Sequence, residues 1–277
     1  MIHVLKIQCP DERGIIYRVT KVLYEAGLNV IEQNEFVANE ENRFFLRTAF
    51  DGNPDNQALL ENLRTTLHHE AIVTLRPMTP RRIAILVTRE EHCLGDLLLR
   101  HHDHELPADI TCVIANRPEP GQLTKKFNIP FLHIPHQNKD HATHDREVCQ
   151  ALEPFKPEFV ILAKYMRILG QEFISQYPHR IINIHHSSLP AFVGARPYHQ
   201  AYQRGVKIIG ATAHIVSEEL DAGPIIAQDT FSVRHSHGVH DLIRAGRNIE
   251  KIVLARALRL ALEDRIFVHK NRTIIFD

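Results

Sequence analysis

Between residues 77 and 82 the hydrophobic pattern of this chain changes character, and that change limits its possible folds more than any other feature. The segment Pro77-Met78-Thr79-Pro80-Arg81-Arg82 carries two prolines, which disfavour helix and strand alike, so it is expected to be a linker. Upstream, residues 2–8 largely alternate apolar and polar side chains, as a strand with one covered face does. Downstream, residues 83–87, 110–115 and 159–163 are short, mostly apolar runs rich in branched side chains, the pattern of strands covered on both faces by crossover helices. The chain is therefore expected to be an α/β protein in two units, 1–78 and 83–277, and its 277 residues exceed what one small core usually spans.

In the first unit, Ile15, Ile16, Val19, Val22, Leu23 and Ala26 recur at helical spacing after the turn Cys9-Pro10-Asp11, where Asp11 could serve as a plain N-cap. Gly27 stands where a left-handed C-cap would end that helix. Two β-rich runs, 29–37 and 43–50, flank the polar stretch Ala38-Asn39-Glu40-Glu41-Asn42, which reads as a hairpin connection. A helix near 56–68 and a strand near 71–76 complete a βαββαβ order, which places two helices on one face of a ferredoxin-like antiparallel sheet. The second unit reads as a doubly wound, mostly parallel sheet whose crevice lies beyond the carboxyl ends of its strands. It closes with a helix near 239–263 and small strands near 266–269 and 273–276.

Composition removes several function classes. Lys plus Arg equals Asp plus Glu at 33 each, so no net basic field draws the chain to phosphate backbones or anionic lipid. The opening MIHVLKIQCPDERG lacks the features of a secretion signal and no apolar run approaches a membrane span, so a cytoplasmic location is expected. Cys9, Cys93, Cys112 and Cys149 form no CxxC pair, and the clusters HHDHE and HDREVC read as polar loops without metal-motif spacing; no metal site is expected.

The chemistry is expected where the strand 181–184 runs into His185-His186-Ser187-Ser188. Residues two apart on a strand face one side, so Asn183 and His185 enter the same crevice as an amide donor and a titratable imidazole. Downstream, Glu218-Glu219-Leu220-Asp221-Ala222-Gly223-Pro224 reads as a polar loop entering a strand at 225–228, with Gly223 allowing close backbone approach. Taken singly, His185 is a packing histidine and Asp221 a turn residue; together, Asn183, His185 and Asp221 supply what acyl hydrolysis or transfer requires. His214, on the strand 208–216, either supports Asp221 or fills the core, and His186 either positions water or packs.

The runs Asn183-Ile184-His185-His186-Ser187-Ser188-Leu189-Pro190, Ala211-Thr212-Ala213-His214 and Asp221-Ala222-Gly223-Pro224-Ile225 together resemble the folate-dependent formyltransferase superfamily. Within it, His185-His186 and Gly194-Ala195-Arg196-Pro197-Tyr198-His199-Gln200 resemble the formyltetrahydrofolate deformylases, whereas glycinamide ribonucleotide formyltransferases usually have proline at the second histidine position. The N-terminal Cys9-Pro10-Asp11-Glu12-Arg13-Gly14-Ile15 resembles an ACT domain, so the resemblance covers essentially the whole chain. It implies a hydrolase of a linear amide C–N bond that takes the formyl group off 10-formyltetrahydrofolate with water, supplying formate for purine synthesis and balancing the one-carbon folate pool. It further implies Asn183 as oxyanion donor, His185 as the imidazole that stabilises that charge, and Asp221 as the carboxylate that orients or deprotonates the nucleophile. Tyr165, Met166, Arg167, Ile168, Leu169 and Leu220 would bind the folate, with Arg167 near its carboxylates. Asp11, Gly14, Ile15 and Asn29 would bind an effector such as glycine or methionine, between paired copies in a homo-oligomer, a dimer or tetramer. No cofactor is implied. Ser188 departs from the bulkier residue that deformylases often carry.

Absent features point the same way. Thr88-Arg89-Glu90-Glu91-His92-Cys93-Leu94-Gly95 has two adjacent carboxylates and one glycine where a phosphate-binding loop would need backbone amides, so a phosphorylated acceptor is not expected. After residue 263 only a short tail follows, and no RNA-binding domain is expected. The rival readings are a formyltransferase with another acceptor and an amino-acid sensor that has lost catalysis.

Overall fold

A computed structural model describes residues 1–190 and 197–277. The chain separates into two compact units: Met1–Thr79 with Glu263–Phe267 and Ile274–Asp277, and Pro80–Leu262 with Val268–Thr273. The C-terminal tail, read from the sequence as part of the second unit, thus divides between the two.

The first unit contains β1 (Ile2–Pro10), α1 (Ile15–Glu25), β2 (Asn29–Ala38), β3 (Arg43–Asp51), α2 (Asn56–Thr66) and β4 (Ile72–Pro77). Its sheet has the order β2-β3-β1-β4, antiparallel throughout. One face packs Leu5, Ile7, Phe44 and Leu46 against Val19, Leu23, Leu59 and Leu63 of the helices. Helix α1 ends at Gly27, whose φ of 69° lets Leu28 N donate to Leu23 O at 3.0 Å and its own N to Tyr24 O at 2.9 Å. It does not begin on Asp11. Gly14, at φ 86°, holds the cap position without a side-chain bond, while Asp11 N donates to Asn42 O at 2.9 Å. Strand β3 is covered on both faces: Phe45 packs on Phe267 and Phe276, and the fully buried Arg47 donates to Glu32 Oε2 at 3.0 Å and to Glu263 O. That second covering accounts for the near-continuous apolar run at 44–50, which a sheet covered on one face would not need.

The second unit contains β5 (Arg81–Val87), α3 (His92–His102), β6 (Ala108–Ala115), α4 (Gly121–Lys125), β7 (Phe131–His133), α5 (His141–Leu152), β8 (Phe159–Leu162), α6 (Gln171–Gln176), β9 (Ile181–His185), α7 (Pro197–Gln203), β10 (Ile208–Ile215), β11 (Ile225–Ser232) and α8 (Val239–Leu262). A two-stranded hairpin follows, β12 (Ile266–His269) and β13 (Arg272–Ile275). The main sheet has the order β11-β10-β9-β8-β5-β6-β7; β9 through β7 run parallel, and β10 and β11 are added antiparallel. Strand β7, three residues long, carries too short a pattern to be read from the sequence. The chain winds outward from β5 to β7 and returns with β8 on the other side of β5, so the switch point lies between β5 and β8. There the two following loops are stitched together: Thr88 N donates to Lys164 O at 3.1 Å, and Met166 N to Thr88 Oγ1 at 2.8 Å.

All four cysteines are buried and free. The histidine clusters are less loop-like than their composition implied. His101 and His102 close α3, and fully buried His144 lies in α5 with Nε2 donating to Ile134 O at 3.0 Å.

Candidate active site

Strand pleating puts Asn183 and His185 on one side of β9, and the antiparallel register of β10 sets His214 directly opposite Asn183. Asn183 Nδ2 donates to His214 Nε2 at 3.2 Å, and His214 Nδ1 donates to Ile215 O at 3.1 Å. Asp221 arrives from the loop between β10 and β11 in the left-handed region, at φ 55°. Gly223 is what lets that loop lie so close: a Cβ there would sit 1.9 Å from Ile215 O. The strand pairing resumes beside it, with Ile215 N donating to Pro224 O at 2.9 Å.

The Asp221 carboxylate bridges both imidazoles, Oδ2 lying 3.2 Å from His185 Nδ1 and Oδ1 lying 3.6 Å from His214 Nε2. Hydrogen bonding from His185 holds its carboxyl well below the usual carboxylate range, outweighing a burial that acts the other way. Asp221 is therefore ionised at any pH where the chain would work. A carboxylate only accepts, so His185 Nδ1 carries a proton and its other nitrogen is left for chemistry. Nε2 of His185 is buried and has no hydrogen-bond partner among the described residues. A buried ring nitrogen left without a partner is costly unless a ligand or water meets it.

These groups open into a cleft of about 270 Å³, lined also by Lys164, Tyr165, Met166, Arg167, Ile168, Leu169, His186 and Leu220. Every residue that the sequence assigned to catalysis or folate binding thus meets in one cavity of the second unit. Met166, Ile168 and Leu220 are more than half exposed, which makes an apolar lip suited to a flat ring. Arg167, half-buried, approaches His141 Nδ1 through Nη2 at 3.4 Å. The His186 ring stacks on His185 with centroids 4.7 Å apart. Ser188 faces a different and smaller cavity, of about 40 Å³, with Ser187, Tyr198, Ala201 and Gly210. Of the run Gly194 to Gln200, Gly194-Ala195-Arg196 lie outside the described residues.

The candidate effector residues occupy two places in the first unit. Asp11, Gly14 and Ile15 form the turn into α1, where the Ile15 side chain enters the core, and exposed Asn29 opens β2 opposite Asp51.

Sequence reasoning missed a second cluster in the catalytic unit. Glu250 of α8, 1% exposed, accepts from Tyr198 OH at 2.6 Å and from His92 Nε2 at 2.7 Å, with Lys164 Nζ at 3.2 Å. Two signals could have found it. Glu250 falls on the face of α8 that buries Leu242, Ile249, Val253, Leu254 and Ala257, and Gly246 interrupts that face one turn earlier. A Cβ on Gly246 would come within 2.1 Å of Tyr198 OH, so the glycine makes room for the phenol.

Comparison with known proteins gives a consistent set of relatives. The formyl transferase family pattern matches residues 81–258. Formyltetrahydrofolate deformylase from Haemophilus influenzae is 47% identical over 272 residues, covering 98% of each chain. The crystal structure of a formyltetrahydrofolate deformylase from Pseudomonas syringae superposes with a TM-score of 0.95 at 40% identity, over 100% of this chain and 94% of that one. Glycinamide ribonucleotide transformylase 1 from Symbiobacterium toebii matches less of it, 73% of this chain and 97% of its own, with a TM-score of 0.69 at 29% identity.

Proposed function

The chain belongs to the formyltetrahydrofolate deformylase family, and from that membership we infer how it hydrolyses 10-formyltetrahydrofolate to formate and tetrahydrofolate. The observation that carries the assignment of roles is the convergence of Asn183, His185 and Asp221 on one cleft, with His185 Nε2 left without a partner among the described residues. The folate ring lies against Met166, Ile168, Leu169 and Leu220, and Arg167 meets its carboxylates at the mouth. Water, oriented by Asp221, attacks the formyl carbon. The oxyanion that forms is met by an Asn183 Nδ2 proton and by protonated His185 at Nε2.

Asp221 accepts the proton of the attacking water, a poor step for so acidic a carboxyl in the resting site. It becomes favourable as the oxyanion draws the His185 charge toward itself and loosens the hold on Asp221. The C–N10 bond then breaks with its electron pair going to N10, which receives the proton from Asp221. The formic acid released gives its remaining proton to solvent. Each of these steps is carried by side chains of the chain itself, with no metal or cofactor assigned a part.

The first unit has the βαββαβ order of an ACT-like domain and serves as the amino-acid sensor, with glycine and methionine as candidate effectors. Its edge strand β2 leaves Val30, Ile31 and Phe36 exposed, which supports pairing of copies along that edge into a homo-oligomer. Among the described residues no helix is long and apolar enough to cross a membrane, in keeping with a cytoplasmic place of work.

Purified protein supplied with 10-formyltetrahydrofolate alone is expected to release formate and tetrahydrofolate one for one, and either amino acid is expected to shift the rate. Release only after an amine acceptor is added would mean a transferase and would overturn the role of water as nucleophile.

A further inference from the structure

Water can be the sole nucleophile, as the reading above requires, only if the cleft turns other acceptors away, and the second cluster lies where an anionic acceptor would dock. In doubly wound sheets ligands bind beyond the strand ends at the switch point, and anions favour the start of a helix there. In this chain that place lies between the loops after β5 and β8, beside the first turn of α3. It already holds an anion. Glu250 reaches in from α8 and meets His92, the first residue of α3, and Lys164, which follows β8 and itself lines the folate cleft.

We propose that Glu250 is a built-in anion filling the acceptor subsite of this cleft, so that a phosphorylated acceptor cannot dock and water alone reaches the formyl carbon. Both of its oxygens are taken, Oε1 by Tyr198 and Oε2 by His92 and Lys164. The Lys164 ammonium balances its charge, and this leaves the buried group neutral as a whole. Burial alone would raise the Glu250 carboxyl, yet His92, Lys164 and Tyr198 hold it down at about 2. The backbone is shaped to the cluster at two points: Lys164 adopts a left-handed φ of 63°, and Gly246 gives up its side-chain space to Tyr198. Outside it, Glu90 Oε2 stands 3.6 Å from His92 Nδ1 and 3.5 Å from Arg247 Nε.

The donor set also resembles a metal site, since His92, Cys93 and Glu250 have ligand atoms within 4.8 Å of one another. Its chemistry argues otherwise. Lys164 already supplies the cation that balances Glu250, and the Glu250 oxygen nearest His92 is shared by His92 and Lys164.

The test removes the internal anion and supplies an external one. Glu250→Gln leaves the Lys164 ammonium uncompensated beside His92. Inorganic phosphate is then expected to bind this variant at least about tenfold more tightly than wild type, by calorimetry without folate, and to raise its Tm. It is also expected to inhibit formate release. The double variant Lys164→Gln with Glu250→Gln has no charge to satisfy and is expected to lose the phosphate effect. Equal phosphate binding by wild type and Glu250→Gln would overturn the proposal, as would a Glu250→Gln chain that is unfolded and gains nothing from phosphate. Failure of the hydrolase reading itself would show separately, as no formate from the wild-type chain.

Discussion

Two carboxylates of the second unit, half-buried Asp221 and buried Glu250, are both held below their ordinary range by histidine partners, yet they end in opposite states. Asp221 is presented to a cleft, and its partner His185 keeps a ring nitrogen with nothing to bond among the described residues. Glu250 is sealed, with both oxygens engaged and a lysine to balance it. A depressed carboxyl by itself therefore does not mark a reactive centre. The distinguishing feature is an unmet buried group facing space that a substrate can enter, because only there does binding relieve a cost already present in the resting protein.

Breaking the open cluster should have the larger effect. Asp221→Asn removes the charge that holds His185 and, in the proposed mechanism, the acceptor for the water's proton, and formate release is expected to fall by about a hundred- to a thousandfold. The folate KM should change little, since the apolar lip and Arg167 are untouched. A variant that keeps near-normal turnover while folded would remove Asp221 from the mechanism. His214→Gln takes away the ring beside Asp221 and the acceptor of the Asn183 bond, leaving His185 in place. A fall in kcat of about tenfold is expected, because outer partners of a reacting group tune it rather than carry it. Unchanged kcat would make His214 a packing residue.

The smallest effect sharpens the contrast through acid stability. Both folded carboxyls lie below their unfolded values, 3.8 for Asp221 and 4.5 for Glu250. The unfolded chain thus binds more protons, and the stability these groups contribute, fully present above those values, is lost as pH falls through the lower folded ones. Urea unfolding between pH 4.5 and about 2 should therefore show a shallower pH slope in Lys164→Gln with Glu250→Gln than in wild type. Identical slopes would mean that the sealed pair contributes no pH-dependent stability.

Much of this was legible in the sequence because it rests on local periodicity. The alternation in β1, the helical spacing of α1 and the apolar runs of β5, β6 and β8 each report a face that must be buried, whatever buries it. Asn183 and His185 share a side because strand pleating has a period of two, and Gly223 announced a close backbone approach. The tertiary structure alone decided pairings between distant segments. It set His214 opposite Asn183, turned Asp221 onto both histidines, covered the second face of β3 with Phe267 and Phe276, and brought Glu250 of α8 to Lys164 and His92. Local patterning fixes which face of an element is buried, but a contact between residues far apart in the chain depends on strand order and helix packing, and these are settled only when all the elements compete for one core.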